Sequence, residues 1–247
     1  QVLTSGGAGA ACAWEDIGTA SGAIVGKTEG TNFTDSLLVG HSTTGTLSSA
    51  SDNTGVGIGA MTALTSGNHN TAVGQDAGTA ITTGIRNTYI GSNSGIVSVG
   101  GDQNTGIGRS ALEANVSGDN STAVGFESLV KVTGSNNTAI GMRSGKEIVG
   151  GAYNLTLGRE AGDNITSGDG NVIIGGVDAA SATADRQLMI TGYDGTTTTT
   201  WISGDNSGNV TMPAELAAVS LDISGAIDVD GTTNLDAVDI DGAVQID

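Results

Sequence analysis

The chain has 247 residues, of which 42 are glycine, one is proline and 3% are aromatic, too little aromatic surface for a thick conventional core. Collagen is excluded as well, because no Gly-X-Y period exists and proline is almost absent. A formal charge of −18 disfavours nucleic-acid binding and attraction to anionic membrane headgroups, and favours solubility of a β-rich particle.

Residues 1–35 form an N-terminal connector that opens on the small-residue stretch QVLTSGGAGAACAWED. Cys12 is the lone cysteine, so no intrachain disulfide can form, and GAAC lacks the apolar stretch of a lipid-attachment signal. No secretory leader and no run of 18 apolar residues is present, so membrane insertion is not expected. The start at Gln1 and the end at Asp247 inside a repeating pattern are read as a segment of a longer protein.

Residues 36–192 are an internal repeat of about nine to ten coils. The copies are SLLVG (36–40), NTGVG (53–57), NTAVG (70–74), NTYIG (87–91), NTGIG (104–108), STAVG (121–125), NTAIG (137–141), NLTLG (154–158) and NVIIG (171–175), with a degenerate LMITG (188–192). The starts advance by a constant step, as from Asn53 to Asn70 and from Asn70 to Asn87, shortened by one only between Ser121 and Asn137. The fourth position is always aliphatic and the fifth always glycine in the first nine copies. Threonine at the second position exchanges with Leu37, Leu155 and Val172, which predicts a strand whose second and fourth side chains point inward. The small third position then faces outward, and Gly55, Ala72, Tyr89, Gly106, Ala123 and Ala139 are expected contacts between subunits.

A weaker apolar column, Leu47, Leu64, Ile81, Val132, Ile148 and Ile165, predicts a second short strand in each coil, with Val116 displaced by one. The expected fold is all-β: a parallel β-roll or β-solenoid of ~17-residue coils stacked one upon the next. Two or three medium apolar side chains per coil make a thin core, so association into a homotrimer is expected. Residues 193–220 are a second connector containing a threonine run and WISGDNSGNV. Residues 221–247 alternate aliphatic and aspartate residues and predict an acidic β-strand shaft that continues beyond the fragment.

QVLTSGGAGAACAWED and WISGDNSGNV (201–210) resemble segments common in bacteriophage tail fibres, and the NTAIG coils resemble tail-fibre repeats and the heads of trimeric autotransporter adhesins. The resemblance implies a homotrimeric virion component, extracellular, that joins other virion tail proteins and meets a host cell-surface glycan or protein.

Candidate chemical sites are few. GVGIGA (55–60) lacks the lysine and following helix of a phosphate loop, so it is read as a structural turn. His41 and His69 fall in different columns and are read as exposed turn residues. DVDG (228–231) and DIDG (239–242) lack the ligand spacing of a calcium loop. Glu113, Glu127, Glu147 and Glu160 are the carboxylates available for glycoside hydrolysis, but nothing in the sequence pairs them. The variable turn after each strand glycine is the expected receptor-facing surface, with Arg109, Phe126, Met142, Arg143 and Arg159 as its candidates. The expected function is therefore structural and non-enzymatic, with no cofactor and no metal. Alternatives are a bacterial trimeric surface adhesin head, a polysaccharide-degrading tailspike, or an ice-binding solenoid using an outward threonine column.

Overall fold

The computed structural model describes residues 32–40 and 44–213 with their side chains, and the backbone of 2–4, 13–15 and 26–30. Cys12, His41 and the aspartate-rich stretch 221–247 lie outside the described residues. No helix occurs among the described residues.

Near the start, β1 (Val2–Thr4) and β2 (Ala13–Glu15) pair antiparallel. β3 (Gly26–Gly30) pairs antiparallel with β4 (Phe33–Val39), and β5 (Ala50–Ser51) runs parallel to the beginning of β4. One three-residue strand per coil follows: β6 (Thr54–Val56), β7 (Thr71–Val73), β8 (Thr88–Ile90), β9 (Thr105–Ile107), β10 (Thr122–Val124), β11 (Thr138–Ile140), β12 (Leu155–Leu157) and β13 (Val172–Ile174). β14 (Leu188–Tyr193) closes the parallel run and turns into an antiparallel meander with β15 (Thr198–Gly204) and β16 (Val210–Thr211).

The result is a β-solenoid of about nine parallel coils, one for each copy of the repeat, in strict register. Thr71 faces Thr88, Thr88 faces Thr105, and Ala123 faces Ala139 across the shortened step. Both ends of the parallel ladder are covered by antiparallel strands, β3 at one and β15–β16 at the other. Such covering blunts the exposed edge that would otherwise template further pairing.

The facing of the strands is the reverse of the sequence expectation. Counting each coil from the residue before its strand, position 3 points inward: Gly55, Ala72, Tyr89, Gly106, Ala123 and Ala139 are all buried. These residues therefore line the coil interior and are not available as contacts between subunits. Positions 2 and 4 point outward, with Val56, Ile90, Ile107, Ile140 and Leu157 each about 40% exposed, from 38% to 41%. The predicted second strand is absent too. Its apolar side chains Leu64, Ile81, Val132, Ile148 and Ile165 are buried but project from turns. In the coil where Val116 stands displaced, Asn115 takes the inward place and exchanges two hydrogen bonds with Gly118, at 2.8 and 3.0 Å.

The interior is narrow, and its volume is shared between positions 3 and 9 within a coil and between neighbouring coils, since Ala72 with Gly78 and Ala139 with Gly145 leave space into which Tyr89 and Leu129 of the adjacent coils reach. Gly55 is matched with Met61, Gly106 with Leu112 and Ala123 with Leu129, whereas Tyr89 is matched with Gly95. A Cβ on Gly95 would sit 2.5 Å from the Tyr89 ring. The Tyr89 hydroxyl donates to Ser98 Oγ at 2.9 Å, and burial pushes the phenol up to about 12.

Position 1 supplies a buried polar ladder of Asn53, Asn70, Asn87, Asn104, Asn137, Asn154 and Asn171, with Ser121 and Gln187 in line. Asn70 donates from its backbone N–H (3.0 Å) and its Nδ2 (3.1 Å) to Asn53 Oδ1. Its Nδ2 also donates to the carbonyl of Gly84 at 2.8 Å. Every coil thus satisfies the polar groups of the next, as buried amides require. The glycine three residues before most coil starts has a steric cause: a Cβ on Gly101 would lie 2.6 Å from the Gly118 carbonyl oxygen.

Candidate functional site

Two kinds of surface stand out on the solenoid. The first is the outward face of the strand ladder, where Thr54, Thr71, Thr88, Thr105, Thr122 and Thr138 alternate with the aliphatic fourth column. Strand spacing of ~4.8 Å makes the eight rungs from β6 to β13 a strip about 34 Å long. A second, separate strip runs along position 13, where Val99, Val116 and Val149 are exposed between threonines. Thr65, Thr82, Thr133 and Thr166 donate their hydroxyls to the carbonyl of the next coil, over 2.9–3.3 Å, which turns their methyl groups outward beside the valines. Both strips are mixed Thr/aliphatic ladders with no covering element among the described residues.

The second surface is the turn edge at positions 6 and 7, which carries the candidates for receptor contact. Backbone bonds hold this edge in register: Glu127 N–H donates to Arg109 O (3.0 Å), Arg143 to Phe126 O (2.8 Å) and Glu160 to Met142 O (2.8 Å). Arg109, Phe126, Met142 and Arg159 therefore follow one another up the edge, one per coil. The Arg109 guanidinium lies 5.4 Å from the Phe126 ring centre and that of Arg143 lies 5.9 Å from it, so one half-buried ring serves two cations. Arg143 also pairs with Glu127 at 3.0 Å and Glu160 at 3.7 Å, and Arg159 with Glu160 at 3.2 Å. The five residues singled out from the sequence are thus brought together. Glu127 and Glu160 are occupied by Arg143, while Glu147 pairs with Lys131 and Lys146 elsewhere.

Two aromatic residues complete this edge, and neither was singled out from the sequence. Where the next coils would place side chains, position 6 is Gly176 and then Gly192. Tyr193 lies over the first, its ring 3.7 Å from where a Gly176 Cβ would be. Trp201, brought back by β15, lies flat on the second, 2.5 Å from a Gly192 Cβ position. Arg159, Glu160, Gly175, Gly176 and Tyr193 line a recess of about 400 Å³. A neighbouring recess of about 350 Å³ has Gly192 and Trp201 in its wall and shares Tyr193.

Beside them, Asp163 and Asp178 are hydrogen-bonded carboxyls in adjacent coils. Burial, then Asp178, then Glu160 push Asp163 up to about 6, against the smaller opposing effect of Lys146. His69 is exposed at the opposite turn, 3.5 Å from the Asp52 carboxylate. No group of three His, Cys, Asp or Glu residues suited to hold a metal occurs among the described residues.

No protein-family model, no curated protein and no solved structure matches this chain.

Proposed function

We propose that the chain is a structural, non-enzymatic segment of a trimeric bacteriophage tail fibre, extending from the virion and contributing to host attachment. The observation that carries this reading is the outward Thr/aliphatic face, repeated in every coil of a rod that satisfies its own backbone internally. Half-exposed aliphatic side chains in an unbroken row are the kind of patch that marks a contact surface. A cyclic trimer is a heterologous assembly and needs two complementary patches on each subunit. The strand ladder and the position-13 ladder supply two. The subunit contact thus moves from the buried third column to the fourth, and the sequence resemblance to fibre segments supplies the virion context.

Light scattering tests the assembly directly. A trimer gives three times the 24.1 kDa of one chain, whereas a 24.1 kDa species at tens of micromolar removes the reading. In a Val73→Glu/Ile107→Glu variant the mass should fall to the monomer while the far-ultraviolet β signal persists.

One observation favours a second reading. The threonine column does face outward, as an ice-binding solenoid requires. Leu37, Leu155 and Val172 interrupt that column and its neighbour is aliphatic throughout, which suits a protein contact better. Thermal hysteresis at millimolar protein would decide for ice.

A further inference from the structure

We infer that the turn edge from Arg109 to Trp201 is a binding strip for a carboxylated polysaccharide, read by an unpaired arginine at one end and aromatic platforms at the other. The inference deepens the attachment part of the proposed function, on which it rests, by giving it a site and a ligand chemistry.

The first ground is composition against place. The chain is strongly acidic and poor in aromatic residues, yet this edge gathers three of its five arginines with Phe126, Tyr193 and Trp201. Tyr193 and Trp201 are 52% and 58% exposed, so their rings are left in water rather than spent on the core. Exposed flat rings beside polar groups are the surface on which the C–H faces of sugar rings stack. The gap left by the two position-6 glycines makes the stacking surface concave, because each aromatic ring rests directly on the backbone.

The second ground is the charge pattern. Arg143 and Arg159 are fixed by Glu127 and Glu160, which leaves these carboxylates ordered as acceptors for hydroxyl groups. Arg109 is different. Its guanidinium is held against Phe126, and no described carboxylate lies within ion-pair distance of it. A planar donor fork, preoriented and uncompensated, suits a carboxylate presented by the ligand. Counting Arg109, Arg143 and Arg159 against Glu127, Glu160 and Asp194, which lines the aromatic recess, the edge carries no net charge on a chain of −18. That is too little to attract a polyanion at long range, so recognition depends on contact geometry rather than on bulk charge.

The third ground is dimension. The edge spans six coils from that of Arg109 to that of Gly192, about 24 Å at ~4.8 Å per step. Its groups recur once per coil, which fits an extended chain of repeating units and not a single compact ligand. Three copies on one fibre would add avidity without any new contact.

The test uses the full chain and immobilised polygalacturonate, with neutral dextran and dextran sulfate as comparison polymers, read by biolayer interferometry and by tryptophan fluorescence. Polygalacturonate is expected to bind and to perturb the fluorescence, with dextran and dextran sulfate much weaker. Arg109→Gln should weaken binding about tenfold or more, the scale of one charge-assisted pair, and Phe126→Leu should weaken it several-fold. Arg86→Gln removes the same charge from a different turn column and should leave affinity unchanged. Absence of polygalacturonate binding overturns the inference, as does equal binding of either comparison polymer or an Arg109→Gln variant that binds normally. Light scattering on the same samples separates the two readings. Lost binding by a species of three times 24.1 kDa sinks only the strip, whereas intact binding by a 24.1 kDa species sinks only the trimer.

Discussion

The inward facing of position 3 is best challenged at Tyr89, the largest side chain in the interior and fully buried. Tyr89→Ala empties a ring-sized volume and removes the bond to Ser98, and deletions of buried aromatic rings cost about 3–5 kcal/mol. Gly95→Leu alone drives a side chain into a ring whose atoms lie 2.5–2.6 Å from the new Cβ, and it forces leucine onto a backbone at φ +58. Overpacking of that kind costs about 1–3 kcal/mol, with about 1 kcal/mol more for the left-handed conformation. The double variant should behave otherwise, because it recreates the Ala123–Leu129 pairing found two coils further along, where Leu129 likewise stands at φ 48. Its loss should be about 3 kcal/mol, about 2 from the orphaned Ser98 hydroxyl and about 1 from leucine in the left-handed conformation. The two single losses sum to about 5–9 kcal/mol, so the expected coupling of about 2–6 kcal/mol lies far outside the scatter of independent sites. Urea unfolding followed by far-ultraviolet circular dichroism, with light scattering alongside, measures all four proteins. Additive losses would refute the shared interior volume. A Tyr89→Ala protein of wild-type stability but altered mass would show instead that Tyr89 faces a neighbouring subunit.

Further outcomes follow from the same geometry. Gly101→Ala should cost about 1–3 kcal/mol, because the group it meets is a backbone carbonyl that cannot yield; Gly150→Ala, which meets nothing within 4 Å, should be neutral or slightly stabilising in the same urea unfolding assay. Asn104→Ala should cost about 2–4 kcal/mol in urea, since Asn104 Oδ1 accepts from Ser121 N–H at 3.0 Å and its Nδ2 donates to Gly118 O at 2.7 Å. Asn104→Ser, copying the residue at 121, should lose about half of that. Asp163 is held protonated more tightly in the fold than in the unfolded chain, rising from 3.8 to about 6. Stability from this group therefore falls as pH rises between those values, and Asp163→Asn should raise the melting temperature at pH 8 but not at pH 3.5. The gain should be about 1 kcal/mol once solvent screening of a partly exposed pair is allowed for; an equal gain at both pH values would mean that the charge is irrelevant.

How much of this was legible depends on what a period can encode. Seventeen-residue spacing and invariant glycines fix a stacked β coil, since only identical coils in register explain why Gly101 must avoid the carbonyl of Gly118. Alternation likewise tells that Thr71 and Val73 share one face and Asn70 and Ala72 the other. It does not tell which face is inside. In a conventional sheet the larger apolar pair would face the interior, but so short a coil encloses too little space for that. Alanine at position 3 and one aliphatic residue at position 12 already fill it. Two cues in the sequence pointed the other way. The near-invariant asparagine at position 1 has the parity of position 3, and a buried amide ladder needs its partners one coil away. The size exchange between positions 3 and 9, Tyr89 with Gly95 against Gly106 with Leu112, is the mark of residues that share one cavity.

The turn edge was legible for a similar reason and only as far as the period ran. Arg109, Phe126, Met142 and Arg159 occupy one repeat position, so stacking them required no knowledge beyond the count. Tyr193 and Trp201 belong to the meander that ends the array, and they reach the edge by folding back over Gly176 and Gly192. Asp163 and Asp178 likewise meet from different repeat positions, in the last coils, where the step to the next strand shortens by one. A solenoid writes its core into its period, but its ends are non-periodic by necessity, because something has to cover the last open ladder. On this chain the covering element is also what carries the exposed aromatic rings, so the piece that stops the sheet from growing is the piece that completes the turn edge.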